Sequence, residues 1–477
     1  MSIVSADAQA AHAMELRRAA GAPRSAFRSR LGKEAGTRDA QVKAGLKPLI
    51  VAFLVSLIIP WVIYVGPVRM SPYRFVLLAA LLPILAMWLN GAAGRIKAAD
   101  LALFGYCLWS TLSLAVVHGI GTAVQSGAIL MIETMVPYLI ARCLIRDADD
   151  FKRMVGLLFT LVVALLPFAL IELLAGRKLL LILFGTILPT IEVNWMDLRW
   201  GLFRVQGPFE HPILFGVSCG GAFALTHLVL GYGVSLPKRW LKSGLVLFTA
   251  LLSLSSGPIS ALVVQGLLLT WNGVLRSVEG RWKILWGLLT AMYGTISLVS
   301  SQSVPAFYIT HAPLFDPMSA YYRLLIWQYG SQTALNHPLF GIGMNEYERP
   351  AWMVPSVDMF WLVHAIMYGL PAATFFMFSF LWTVFTVGRK KGLGERETAY
   401  RTAYLISMAG FFIVGWTVHF WNGTYVLFLF LLGSGAWILD APSLTPAPRR
   451  KLSKTSGTAR AMSSTKQSCG RAKPVRG

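Results

Sequence analysis

The sequence predicts an all-α polytopic membrane protein with about 12 transmembrane helices and a large periplasmic loop containing short helices. Three observations predict it. Apolar residues make up 56% of the 477-residue chain and charged residues 13%, too apolar a balance for a soluble globule of this length. The apolar stretches recur at lengths near the roughly 20 residues that a spanning helix needs. Thirty-five of the 43 Lys and Arg residues fall in two tails and five short gaps, and these segments take every second position between apolar stretches. Basic residues near helix ends favour the cytoplasmic side. The pattern therefore describes a bacterial inner-membrane type of protein with both termini cytoplasmic.

In order along the chain, residues 1–47 are rich in Ala, Arg and Gly and read as a basic, mostly disordered tail. Spans are expected near 49–65, 75–89, 101–117, 122–140, 154–174, 213–230, 241–254, 259–275, 284–299, 360–387, 403–420 and 425–439. The first apolar run begins only at Leu49, so the first span is expected to act as an uncleaved signal anchor. The seventh is short and turns tightly into the eighth at Ser255-Ser256-Gly257-Pro258. The apolar run Leu179–Leu188 is too short to cross and is placed in the outer membrane–water interface. A second basic tail, 441–477, follows the membrane domain of 48–440.

Two outer segments stand out by length, about 175–212 and about 300–359, and long loops in compact bundles are usually functional. The second carries its own helix signal. Asp316 is a cap, Pro317 suits the first turn and His337-Pro338 ends the helix. The helix Pro317–Asn336 would turn Tyr322, Leu325, Ile326 and Tyr329 toward the membrane.

The formal net charge of +22 fits basic tails that meet anionic lipid headgroups, and no nucleic acid is expected. The four cysteines make no disulfide framework, and the eight histidines include no pair at ligand spacing, so neither a metal nor a cofactor is expected. Chemistry is sought instead in the outer loops, at Arg199, Arg204, Arg323 and Arg349. Guanidinium forks hold phosphate oxygens bidentately, so outer arginines above a bilayer suit a lipid-linked phosphate or diphosphate; the plain alternative is snorkelling to headgroups. Arg323 stands one helical turn from Trp327, a spacing that permits a cation–π contact. Within spans, Glu172 could reach Arg177 or the outer cavity, and the partner of Glu133 is not readable.

The stretches 201–212 (GLFRVQGPFEHP), 322–327 (YRLLIW), 337–343 (HPLFGIG) and 356–362 (SVDMFWL) resemble the O-antigen ligase and polymerase superfamily, closest to its Wzy-type exopolysaccharide polymerase branch, over roughly residues 45–440. That resemblance implies a metal-independent, inverting glycosyl transfer at the periplasmic face. The donor is an oligosaccharide on undecaprenyl diphosphate and the acceptor a growing glycan. A chain-length regulator and other polysaccharide export proteins are the partners it suggests. By the same likeness Arg204 and Arg323 hold the diphosphate, with Arg199, Glu210, His211 and Arg349 around the substrates. Ligases carry a His-Asn pair where this chain has Asp358-Met359, and polymerase-like relatives tend to Asp-Asn. Asp358 is thus the expected general base, or else a cap of the tenth span, with Glu210 and His211 as alternative bases. A ligase, or less directly a secondary transporter or flippase, is the alternative function. Transporters usually place charges near the midplane in matching halves, a pattern absent here.

Overall fold

A computed structural model describes residues 47–443, apart from 67, 302, 305–306 and 308–316. The expected cap Asp316 lies outside the described residues, as do the tails beyond Lys47 and Ser443. The chain is an all-α membrane protein. Among the described residues nine helices are long and apolar enough to cross a bilayer.

The order is α1 (Pro48–Ser56), a hairpin of β1 (Ile63–Val65) and β2 (Val68–Met70), α2 (Pro72–Leu89), α3 (Ala98–His118), α4 (Ile120–Leu144) and α5 (Ala148–Ala175). Then come α6 (Leu179–Gly185), the interrupted α7 (Pro212–Leu230), α8 (Leu236–Leu251), α9 (Ser256–Val274) and α10 (Arg281–Val299). The chain closes with α11 (Pro317–Asn336), α12 (Phe360–Arg389), α13 (Glu395–Val414) and α14 (Asn422–Asp440). The twelve expected spans fall on α1–α5, α7–α10 and α12–α14. Of these, α1, α8 and α13 fall outside the nine helices that are long and apolar enough to cross.

The first span differs from expectation. The helix ends at Ser56, and Trp61 and Val62 turn instead to the segment after α6, where Val62 N donates to Pro189 O at 2.8 Å and Trp61 Nε1 to Phe184 O at 2.9 Å. Pro60 supplies no N–H, and its carbonyl accepts from Ile191 N at 2.9 Å. The run Leu179–Leu188 gives only the seven-residue α6, on the order of 10 Å long at the usual rise, so it does not cross.

The core sits around α7 and α14, whose residues are almost all buried, while α10 buries none of its own. Helix α3 packs between α4 and α12, α14 lies against α4, and α9 lies against α13. The basic gaps gather at one end of this bundle. There Lys47 meets Asp150 (3.1 Å), Lys97 meets Asp440 (2.9 Å), Arg396 meets Asp149 (2.9 Å) and the fully buried Arg142 meets Asp100 (3.0 Å). The described residues of the two long loops lie at the other end, beside the C-terminal ends of α3 and α5.

Helix α11 has the expected bounds, but its face is turned differently. Leu325 and Ile326 are buried, with Tyr322 and Tyr329 beside them, against Met359, Leu362, Ala365 and Ile366. That face packs on α12 and not on lipid, because α12 is broken and offers it a surface. The break is at Gly369, whose φ of 85° and ψ of 170° no helix contains. The segment Pro338–Gly343 plugs it. Ile342 N donates to Ile366 O (2.9 Å), Gly343 N to Met367 O (2.8 Å) and Leu370 N to Pro338 O (2.7 Å). The plug reaches Trp109, midway along α3, whose Nε1 donates to Leu339 O at 3.0 Å. A Cβ at Gly341 would stand 2.4 Å from Ile366 O, so only glycine allows this approach. The HPLFGIG stretch is therefore a structural insertion that supplies the backbone partners a broken membrane helix lacks.

Candidate active site

Arg204 follows α6 in the loop that descends to α7, and its placement is set by a buried polar latch. The Glu172 carboxylate, near the end of α5, accepts from Gln206 N (2.8 Å), Gly207 N (3.0 Å) and Lys178 Nζ (3.0 Å). Lys178 Nζ also donates to Gln206 Oε1 at 2.8 Å. Glu172 thus pairs with Lys178, not with Arg177. Both carboxylate oxygens have donors, so the chain at 204–207 is fixed to α5.

So held, Arg204 is buried. Its Nη2 donates to Ser255 Oγ at 2.8 Å, and its Nη1 meets only the soft Met196 Sδ at 3.1 Å. Its Nε has no protein partner, and no carboxylate lies within ion-pair distance among the described residues. Burial pushes the guanidinium down to about 10, Arg199 adds to the fall, and Asp197 opposes it. Arg199 itself donates from Nη1 to Leu254 O, and Leu254 holds a positive φ of 43° in the turn before α9.

Arg323, on α11, donates from Nε to Thr417 O at 3.2 Å. Thr417 belongs to the connection 415–421 between α13 and α14. That connection packs on the α9 turn, where a Cβ on Gly257 would stand 3.3 Å from Thr417 Oγ1. The two arginines are therefore anchored to two segments that pack on each other, Arg204 to Ser255 in the turn and Arg323 to Thr417 in the connection. Trp327 meets Trp416 edge-on at 6.0 Å, which ties the α11 helix to the same connection.

Asp358 lies in the field of Arg323. Its carboxyl is raised by burial, with Arg323 pulling the other way. It does not cap α12. Met359 holds the N-cap position, and the first amides of the helix go to the connection, Phe360 N to Val418 O (3.2 Å) and Trp361 N to Gly415 O (3.4 Å). The carbonyls at 415 and 418 fill the capping role and leave the Asp358 carboxylate for other work.

His211 is the cap of α7. Its Nδ1 accepts from Ile213 N at 3.1 Å, so the neutral ring carries its proton on Nε2. Burial lowers it to about 4, helped by Arg204 and Lys178, and it has no free lone pair for a proton. As a general base it is excluded by this geometry. Glu210 is occupied as well, with Arg69 Nη2 at 3.1 Å and Asn422 Nδ2 at 2.8 Å on the same oxygen. Arg349 is tied up within its own loop, to the Met353 and Pro350 carbonyls and the Glu346 carboxylate. Glu133 pairs with Arg74 at 2.7 Å and Tyr73 at 2.9 Å.

The structure thus sets Asp358 in the field of Arg323 and sets His211 and Arg199 in that of Arg204, ties Arg204 to the α9 turn and Arg323 to the connection that packs on it, and leaves Arg349 and Glu210 in ion pairs of their own. Sequence reasoning missed Ser255, Met196, Thr417 and the Glu172–Lys178–Gln206 latch. The serine turn was visible as a turn, but nothing in it named an arginine some 50 residues earlier as its partner. His419 was missed too. Its ring stacks on Trp421 at 5.7 Å, and Trp421 in turn meets His211 at 6.3 Å. No family model matches the chain, and no curated protein matches it.

Proposed function

We propose that the chain is a membrane glycosyltransferase that polymerises oligosaccharide repeats carried on a lipid diphosphate, with twelve crossings, both termini cytoplasmic and the arginine site periplasmic. The observation that carries this reading is Arg204: a buried guanidinium with an unpartnered Nε and no carboxylate within ion-pair distance among the described residues. Buried charges are paired, or the burial is strongly unfavourable, so an anion belongs there. A diphosphate supplies one, and Arg323 stands on the adjoining segment.

In the proposed reaction the acceptor hydroxyl oxygen attacks the anomeric carbon of the donor sugar from the face opposite the diphosphate. The new glycosidic C–O bond forms as the bond to the diphosphate oxygen breaks, with inversion. The hydroxyl proton passes to the Asp358 carboxylate, whose raised basicity favours its taking the proton. The leaving diphosphate gains charge beside Arg204 and Arg323, and preorganised cations aimed at developing charge stabilise such a transition state most strongly where water is scarce.

The test is polymer formation by purified protein from lipid-linked repeats. Arg204→Lys and Arg323→Lys keep charge but lose the fork, and each is expected to lose at least ~10-fold in rate, about 1.4 kcal/mol of transition-state stabilisation. Full activity in both would overturn the diphosphate clamp. Transfer of a finished polymer from its lipid to another acceptor, without elongation, would make the enzyme a ligase.

A further inference from the structure

At the basic end of the bundle, α8 carries its charges against its own dipole. Lys238 and Arg239 stand in its first turn and Lys242 in its second, and the first turn holds no acidic residue. Cations are unfavourable at a helix N-terminus, where anions stabilise. Ser235 takes the N-cap position, but its side chain makes no capping bond, so the opening amides are left for another acceptor. A preference for basic residues on one side of a membrane would be met as well by lysines outside the helix.

Arg239 is held in place as an exposed loop charge would not be. The residue is half-buried, and its Nε is wholly buried with no hydrogen-bond partner. Its stem lies on Gly231, where a Cβ would strike the His227 carbonyl and stand 2.5 Å from Arg239 Cγ. Beside it, His227 Nδ1 meets Ser243 Oγ at 3.0 Å, and the Trp240 ring lies 4.4 Å from the imidazole. These contacts fix the first turns of α8 to the end of α7.

A second cation reaches the same place from a separate element. Arg276, in the connection between α9 and α10, stands in the field of Arg239. That connection is stapled shut. Arg281 donates from Nη1 to the Arg276 and Val278 carbonyls at 3.4 Å each and from Nη2 to Asn272 Oδ1 at 3.2 Å, while Trp271 Nε1 donates to Arg281 O at 3.1 Å. The carboxylates of this end, Asp100, Asp149, Asp150 and Asp440, go to other cations. Among the described residues no carboxylate, Glu279 of the connection included, lies within ion-pair distance of Arg239 or Arg276. Two guanidinium groups fixed in each other's field repel, and an anion between them reverses the sign.

We propose that Arg239, Arg276, Lys238 and the opening amides of α8 bind the phosphate group of one anionic ligand. A phosphate offers acceptors to a guanidinium fork and to helix amides at once, and its charge answers both the cations and the dipole. The surroundings favour a phospholipid headgroup over inorganic phosphate. Leu236, Trp240 and Leu241 are exposed on either side of Arg239 in the helix, which sets the guanidinium where headgroups meet acyl chains. The site lies at the end of α7 opposite to Arg204 and stands whether or not the transfer chemistry does.

The experiment titrates the full chain, delipidated in detergent, with phosphatidylglycerol, phosphatidylethanolamine and inorganic phosphate in turn, and native mass spectrometry counts what is bound. One phosphatidylglycerol is expected to bind ahead of the others. Arg239→Gln and Arg276→Gln are each expected to weaken it at least ~10-fold. Arg239→Lys is expected to weaken it too, because lysine keeps the charge and loses the fork. Lys391→Gln removes an exposed charge from another basic gap and is expected to leave binding unchanged. Equal loss in Lys391→Gln would overturn the site, since a diffuse attraction for headgroups would then account for the binding. Unchanged binding in both glutamine variants of the arginines would overturn it as well. Inorganic phosphate held through Arg239, with no phosphatidylglycerol bound, would overturn the lipid as occupant and leave the phosphate site. Arg276 is exposed, so its variant keeps the test decisive should Arg239→Gln misfold, and thermal unfolding of each variant checks the fold.

Discussion

At Asp358 the burial that would suit the proposed base also weakens the fold. The carboxyl is raised in the folded chain, so between its ordinary value and the raised one the folded state binds more protons than the unfolded state. Stability therefore falls as pH rises through that window and does not return above it. Asp358→Asn removes the titration. The variant is expected to melt higher than wild type at neutral pH in detergent, with the difference disappearing once the pH is below the ordinary carboxylate range. A thermal melt as a function of pH measures this. The same variant is expected to make no polymer, and near-normal polymer would send the search for the base to another group. Glu210 would be its first candidate only if freed from Arg69 and Asn422. Sequence spacing brought out the arginines and Asp358 because guanidinium and carboxylate types stand out in long loops. It could not tell a base from a cap at Asp358, since that depends on the carbonyls at 415 and 418, which arrive from the far end of the chain.

At the scale of elements, the latch between α5 and the arginine loop is an ion pair that apolar substitution does not replace. Exchange of a simple buried pair for apolar residues is often neutral. Here Glu172→Leu with Lys178→Met would also strip the acceptor from Gln206 N and Gly207 N, both buried. The double variant is expected to remain about 2 kcal/mol or more less stable than wild type, since unsatisfied buried donors cost on the order of 1–3 kcal/mol each. Denaturant or thermal unfolding in detergent decides it, and full recovery of stability in the double variant would mean that the backbone amides find other partners. Local signals were legible for helices that carry their own stops. Pro317–Asn336 has the expected bounds because a proline opens it and His337-Pro338 closes it. They failed where tertiary contacts decide. The apolar run after Ser56 reads as more helix, yet it is drawn off to the strand after α6. The span expected at 360–387 is two helices, since a glycine within an apolar run gives no warning that another segment will be inserted beside it.

For the whole molecule, the alternation of basic gaps was read as a sidedness, and the described cations fall into two groups. Lys47, Lys97, Arg142 and Arg396, far apart in sequence, find carboxylates at one end of the bundle, while Arg69, Arg204 and Arg323 are held at the other. The proposed sidedness can be tested with cysteines at exposed positions of ordinary backbone. Gly119, Gly201 and Gly392 are poor choices, because each has a positive φ. A cysteine at the exposed Met344 is expected to react with an impermeant thiol reagent added outside intact cells, and one at Lys391 only after the membrane is opened. Labelling of Lys391 from outside would reverse the orientation, and the reaction would have to be placed on the cytoplasmic face. The end-to-end sorting of charge was readable because it is a property of the whole chain. The site was readable only in part, because its residues come from segments whose order in sequence says nothing of their distance.

The plug in α12 has a mechanical consequence. Backbone hydrogen bonds that break in water are remade with water, but the joint between Pro338–Gly343 and Ile366–Leu370 runs from the middle of α3, at Trp109, to its end at His118, and at its deep end no such substitute is at hand. That joint is a fulcrum. The helix α11 with Arg323 lies on one side of it and the half-helix that begins just after Asp358 on the other. Were a glycan to pass through the site as proposed, the outer loop could tilt about this joint but not detach from it. The arginine and the carboxylate would then swing together, as two points on one lever, so that their spacing survives each turnover while the opening around them changes.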